Sequence, residues 1–89
     1  MEIIKVSSKS KCSSLAGAIA NIIKEKKEVE VHTIGAGALN QLIKSIIISK
    51  GFLAPVGIEI DCNPSFIDIK INNSSKTGIK MLIKQTEKN

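Results

Sequence analysis

Residues 35–45 read GAGALNQLIKS, two glycines one residue apart, then Asn40, Gln41 and Lys44. Glycines placed where a strand ends permit unusual backbone angles, and the free amides at the start of a following helix can face an anion. Close packing of helix on strand is the other use of glycine at such a bend, and the residue types admit both. A dinucleotide fingerprint would need a further glycine or alanine three residues after the second glycine, and Asn40 stands there. An NTPase phosphate loop would need its lysine and hydroxyl earlier than Lys44 and Ser45, which lie inside the helix. Asn40 and Lys44, four residues apart, share one helix face, either as phosphate contacts or as ordinary solvated side chains.

A second constellation is SKSKCSS, residues 8–14. Lys9 and Lys11 supply mobile charges, and the serine hydroxyls and backbone amides can grip phosphates without reading bases. The same residues also suit a flexible surface loop. A third is the C-terminal run with Lys70, Lys76, Lys80 and Lys84, fit for an arm along a groove or for charged edges that resist aggregation.

For catalysis the chain offers little. His32 is the single histidine, with no nucleophile beside it, and Glu28, Glu30, Glu59, Asp61 and Asp68 alternate as strand surface. Cys12 and Cys62 are fifty positions apart with no CxxC pair, so the pattern asks for no metal and leaves two reduced thiols. No cofactor is implied, and the chain is expected not to be an enzyme.

Eighty-nine residues suit one domain, 1–89, with a modest core that assembly into an oligomer would help. Aromatics are only 2%, Phe52 and Phe66, so isoleucine, leucine, valine and alanine must build that core. All thirteen basic residues are lysine. Residues 1–27 carry six of them against two acids, residues 28–69 two against five, and residues 70–89 five against one. Two basic ends point to a polyanionic partner, with lysine for solubility as the plainer use. MEIIKVSS opens without a signal-peptide pattern and no apolar run reaches membrane length, so a cytoplasmic, non-membrane protein is expected.

The elements follow from periodicity. Glu2–Ser7 is a β-branched strand, and a helix begins at Ser13 or Ser14 as cap, with Leu15, Ile19, Ile22 and Ile23 on one face up to Lys27. EVEVHTI, residues 28–34, alternates as a second strand. After the glycines, Leu39, Leu42, Ile43, Ile46 and Ile47 make a second helix to Lys50, with Gly51 as a left-handed cap. Ile46 to Ile48 give that helix more than one apolar face, one for the sheet and one for a partner subunit. Residues 58–71 alternate again, with Pro64 marking a bulge or an edge position, and NNSSK turns the chain into a last strand, TGIKMLIKQTE. The order β-α-β-α-β-β with a long C-terminal hairpin makes a two-layer α/β sandwich.

The ordered segments KVS, SSLAGAIA, GAGALNQ, GFLAP and IDIKI resemble the stage V sporulation protein S family, from about Met1 to about Ile83. The resemblance implies an Alba-like fold, a dimer or tetramer, and nucleic acid held at the loop after the first strand, the start of the second helix and the last hairpin. Carried over, these sites are Lys9 and Lys11, then Gly37, Asn40 and Lys44, then Lys70 and Lys76. Ala36 and Ala38 stand where Alba proteins commonly carry basic residues beside the glycine.

The resulting expectation is a non-enzymatic regulator of sporulation or a related developmental programme. It would be a homodimer or homotetramer that binds DNA or RNA through backbone phosphates with low sequence specificity. The alternative is an assembly module of the same programme that binds proteins and no nucleic acid.

Overall fold

The computed structural model describes residues 1–86; positions 87–89, which the last predicted strand enters and the 1–89 domain includes, lie outside the described residues. The elements are β1 (Ile3–Val6), α1 (Cys12–Lys26), β2 (Glu28–Thr33), α2 (Ala36–Leu53), a short 3-10 turn (Ala54–Val56), β3 (Ile60–Ile71) and β4 (Ser74–Gln85). One four-stranded sheet has the order β1-β2-β4-β3. β1 runs parallel to β2, and β4 lies antiparallel between β2 and β3. Both helices therefore connect parallel strands, and both cover the same face of the sheet.

Alternation decides which face is covered. In β2, Val29, Val31 and Thr33 are buried, while Glu28, Glu30 and His32 lie on the open side. Their β4 partners in register, Ile83, Met81 and Ile79, continue the covered face, and Lys84, Leu82 and Lys80 the open one. From α1 come Leu15, Ala16, Ile19, Ala20 and Ile23. The stripe from α2 is Ala38, Leu42, Ser45, Ile46, Ser49 and Leu53. Each fully buried leucine or isoleucine contributes about 1.5–3 kcal/mol relative to exposure. The buried hydroxyls are satisfied locally: Ser45 donates to the Gln41 carbonyl at 2.7 Å and Ser49 to that of Ile46 at 2.8 Å.

Several expectations change. α1 starts two residues earlier than a cap at Ser13 requires, with Lys11 at the cap position and no side-chain cap. Ser7 and Ser10 are instead spent within the loop, where the Ser7 amide donates to Ser10 Oγ at 3.0 Å and the Lys9 amide to Ser7 Oγ at 3.2 Å. α2 runs through Gly51 to Leu53, because burying Leu53 outweighs the roughly 1 kcal/mol that glycine costs inside a helix. The left-handed residue is Gly57, after the 3-10 turn that contains Pro55.

Pro64 makes no bulge. The β3–β4 register is unbroken from Ile60 opposite Gln85 to Ile71 opposite Ser74, and Pro64 is accommodated because β3 is the edge strand. Beyond Pro64, Phe66 stays on the face of Cys62, opposite Ile79, and only after it does the face that carries the apolar residues change. Ile60 and Cys62 face the helices, whereas Ile67, Ile69 and Ile71, an odd number of residues on, face the open side. Beyond Thr33 the hairpin is a two-stranded arm, and the molecule measures 43 Å in its longest direction against 17 Å in its thinnest. The arm ends in a two-residue turn, Asn72 and Asn73, both left-handed (φ 46° and 62°), which matches the twist of the strands.

Candidate nucleic-acid interface

The loop after β1 is fastened to the first turns of α2. A Cβ on Gly37 would stand 2.8 Å from Ser8 Cβ, so only glycine lets loop and helix approach this closely. One turn on, Gln41 Nε2 donates to the Ser10 carbonyl at 2.8 Å, and the Cys12 thiol points at the Gln41 carbonyl from 3.7 Å. Gly35 has φ 87° and ψ 161°, a conformation nearly closed to other residues, and it turns the chain from β2 into α2. The close approach that glycine permits is thus filled by Ser8, and α2 begins with no side-chain cap hydrogen bond.

A cleft of about 570 Å³ opens beside this junction, at the carboxyl ends of the parallel strands β1 and β2. Lys5, Ser7, Ser8, His32, Gly37 and Lys70 line it on the polar side, and Ile34, Ile69 and Ile71 on the apolar side. The crevice beyond the carboxyl ends of the strands is where open α/β sheets usually bind ligands. Lys5 and His32 are direct neighbours in the parallel register. His32 Nε2 lies 2.6 Å from Glu30 Oε2, two residues along the same face, so the imidazole is held by its own strand.

The seven residues expected to contact nucleic acid are distributed around this cleft. Gly37 and Lys70 line it. Lys9 and Lys11 are exposed on the loop that Gly37 and Gln41 hold. Asn40 and Lys44 are exposed on successive turns of α2, and Lys76 is exposed opposite Ile69 of the cleft wall. The three regions meet, but five of the seven side chains stand outside the recess. Lys5, His32, Ile34, Ile69 and Ile71 are not marked by the sequence, since their proximity depends on strand order and on the change of apolar face along β3.

Elsewhere, Cys62 is half-buried, and that burial pushes its thiol above the ordinary 9.0, with Asp61 adding and Lys50 opposing. Among the described residues no cluster of three or more histidine, cysteine, aspartate or glutamate side chains could hold a metal ion, and no helix is long and apolar enough to cross a membrane. Large apolar side chains remain exposed along and beyond α2: Ile43, Ile47 (64% exposed), Phe52 and Val56.

The family model of stage V sporulation protein S matches residues 2–86. Among solved structures, Alba from Thermoplasma volcanium superposes with a TM-score of 0.63, covering 97% of this chain and 100% of that one at 11% identity. At that identity the likeness is one of fold, and it agrees with the element order described above.

Proposed function

The chain belongs to the stage V sporulation protein S family and is a small sporulation-related protein with an Alba-like fold, and from that premise we propose that it binds nucleic acid through backbone phosphates. It does so in the cytoplasm as a homo-oligomer, a regulator without catalytic activity. The observation that carries the reading is the meeting of three regions at one cleft: the lysine-bearing loop, the uncapped start of α2, and the arm with Lys70. Lysine is a point charge suited to phosphate, and the chain has no arginine for bidentate contacts to guanine, so sequence specificity is low. Self-association is supported by the apolar side chains left exposed on α2.

Titration of labelled single-stranded RNA, single-stranded DNA and duplex DNA at two ionic strengths tests the proposal. Binding should weaken steeply with salt, and each lysine that touches a phosphate contributes about one to the slope of log K against log salt. Absence of binding to all three at low salt would remove the proposal.

A second reading rests on a different observation, the exposed row Ile43, Ile47, Phe52 and Val56. In it the protein is an assembly module of the sporulation programme. Replacing Lys9, Lys11 and Lys44 by alanine would then leave sporulation intact, whereas the nucleic-acid reading requires a defect.

A further inference from the structure

Phosphate contacts are blind to whether a strand is paired, so the reading above does not say what enters the recess itself. Its rim is basic and its wall is apolar. Lys5 and Lys70 stand at the edge, and Ile34, Ile69 and Ile71 form the side toward the arm. Gly78 of β4 makes that wall continuous. A Cβ there would collide with the Thr33 carbonyl and would lie 3.0 Å from Ile69 Cδ1 and 3.3 Å from Ile34 Cγ1. With no side chain in the way, Ile69 and Ile34 close over the bare backbone from two different strand ends. The change of apolar face between Phe66 and Ile67 is what brings Ile69 and Ile71 to this side at all.

Resting on the nucleic-acid reading, we propose that this cleft receives an unpaired base of single-stranded nucleic acid, with the flanking phosphates at Lys5 and Lys70. A volume of about 570 Å³ is in the range of small-ligand sites and holds a base with its sugar. A duplex presents its sugar-phosphate backbone and keeps its bases stacked, so filling the cleft from a duplex would cost unpairing as well as unstacking. A single strand escapes most of that cost. Isoleucine walls contact any base alike, and neither phenylalanine of the chain lines the recess. The cleft therefore selects strandedness and not sequence.

The test is fluorescence anisotropy on the full chain at low salt, with four labelled probes of about 12 nucleotides. They are a ribose single strand, a deoxyribose single strand, the matching blunt duplex, and an abasic strand of equal charge. The single strands should bind at least about tenfold more tightly than the duplex and the abasic strand, the gain expected when roughly 60 Å² of base face leaves water against an apolar wall. Which sugar binds better identifies the natural strand. Ile71→Ser, at a side chain 41% exposed, and Ile69→Ala should each close most of that gap while leaving duplex affinity and salt slope unchanged. Lys5→Gln with Lys70→Gln should weaken all probes together. Equal affinity for intact, abasic and duplex probes overturns the base cleft and leaves phosphate binding standing. No binding to any probe overturns both.

Discussion

At its N-terminus α2 is pressed against a serine-lysine loop, has no side-chain cap over its first amides, and borders a cleft with a lysine rim. At its C-terminus the same helix leaves Ile47 and Phe52 in solvent, continues into exposed Val56, and adjoins a second cleft lined by Lys50, Glu59 and Asp61 among others. The first end supplies what the proposed polyanion site uses, with lysines exposed and steric room kept by glycine. The second has mixed charge around a bare apolar surface, the surface on which the proposed self-association rests. One helix of eighteen residues, about five turns, thus carries the two proposed tasks toward opposite ends, and mutations at one end should leave the other untouched.

The largest effect expected from breaking that separation is at the apolar end. Ile47→Asp with Phe52→Ser should convert the proposed oligomer to monomer, read as mass by light scattering, because a buried unpaired carboxylate opposes association far more than the lost methyl groups do. Lys5→Gln with Lys70→Gln should leave that mass unchanged. A chain that is monomeric before substitution would refute the division of labour.

Two glycines of the same helix give a smaller and sharper contrast. Gly37→Ala sets a methyl group against Ser8 Cβ and should lower stability by about 1–3 kcal/mol. Gly51→Ala meets nothing within 4 Å and should raise it by about 0.5–1 kcal/mol. For a domain of this size, melting temperature should move by roughly 4–8 °C per kcal/mol, in opposite directions for the two variants. Shifts of the same sign would mean that the loop yields or that Gly51 is constrained by its partner.

The smallest effect lies near the second cleft. Cys62 loses its proton less readily in the folded chain than in the unfolded one, so as pH rises past the ordinary thiol value of 9.0 the unfolded state gains on the folded one and stability declines. Cys62→Ser should flatten the denaturation midpoint between pH 8 and 10, within the noise of the other two contrasts but with a defined sign. A steeper fall in the serine variant would contradict it.

Element order and the covered sheet face were legible because Val29, Val31, Leu15, Ile19 and Ile23 keep strict strand or helix spacing. The end of α2 was not, since a glycine cap and a helical glycine look alike until the burial of Leu53 decides between them. The start of α1 was not legible either: Lys11 takes the cap position in place of Ser13 or Ser14, and the serines that bond within the loop are Ser7 and Ser10. Pro64 is the more instructive case: of the two uses its position admits, a bulge or an edge position, the structure shows the edge position. A break in alternation has two causes, an extra residue or a change of buried face, and only the unbroken pairing with β4 distinguishes them. The three basic regions of the candidate interface were found by composition and by resemblance. Its apolar wall was hidden because Ile34 and Ile69 are thirty-five positions apart and meet only through Gly78.

The change of face along β3 also constrains how this arm can vary in length. Each strand alternates sides every residue, so removing one residue between Cys62 and Ile67 would return Ile67, Ile69 and Ile71 to the helix side and empty the wall of the cleft. Removing two would preserve their side, provided β4 loses two opposite them. The arm can be lengthened or shortened only in matched pairs, four residues at a time, as though the hairpin carried a reading frame of its own.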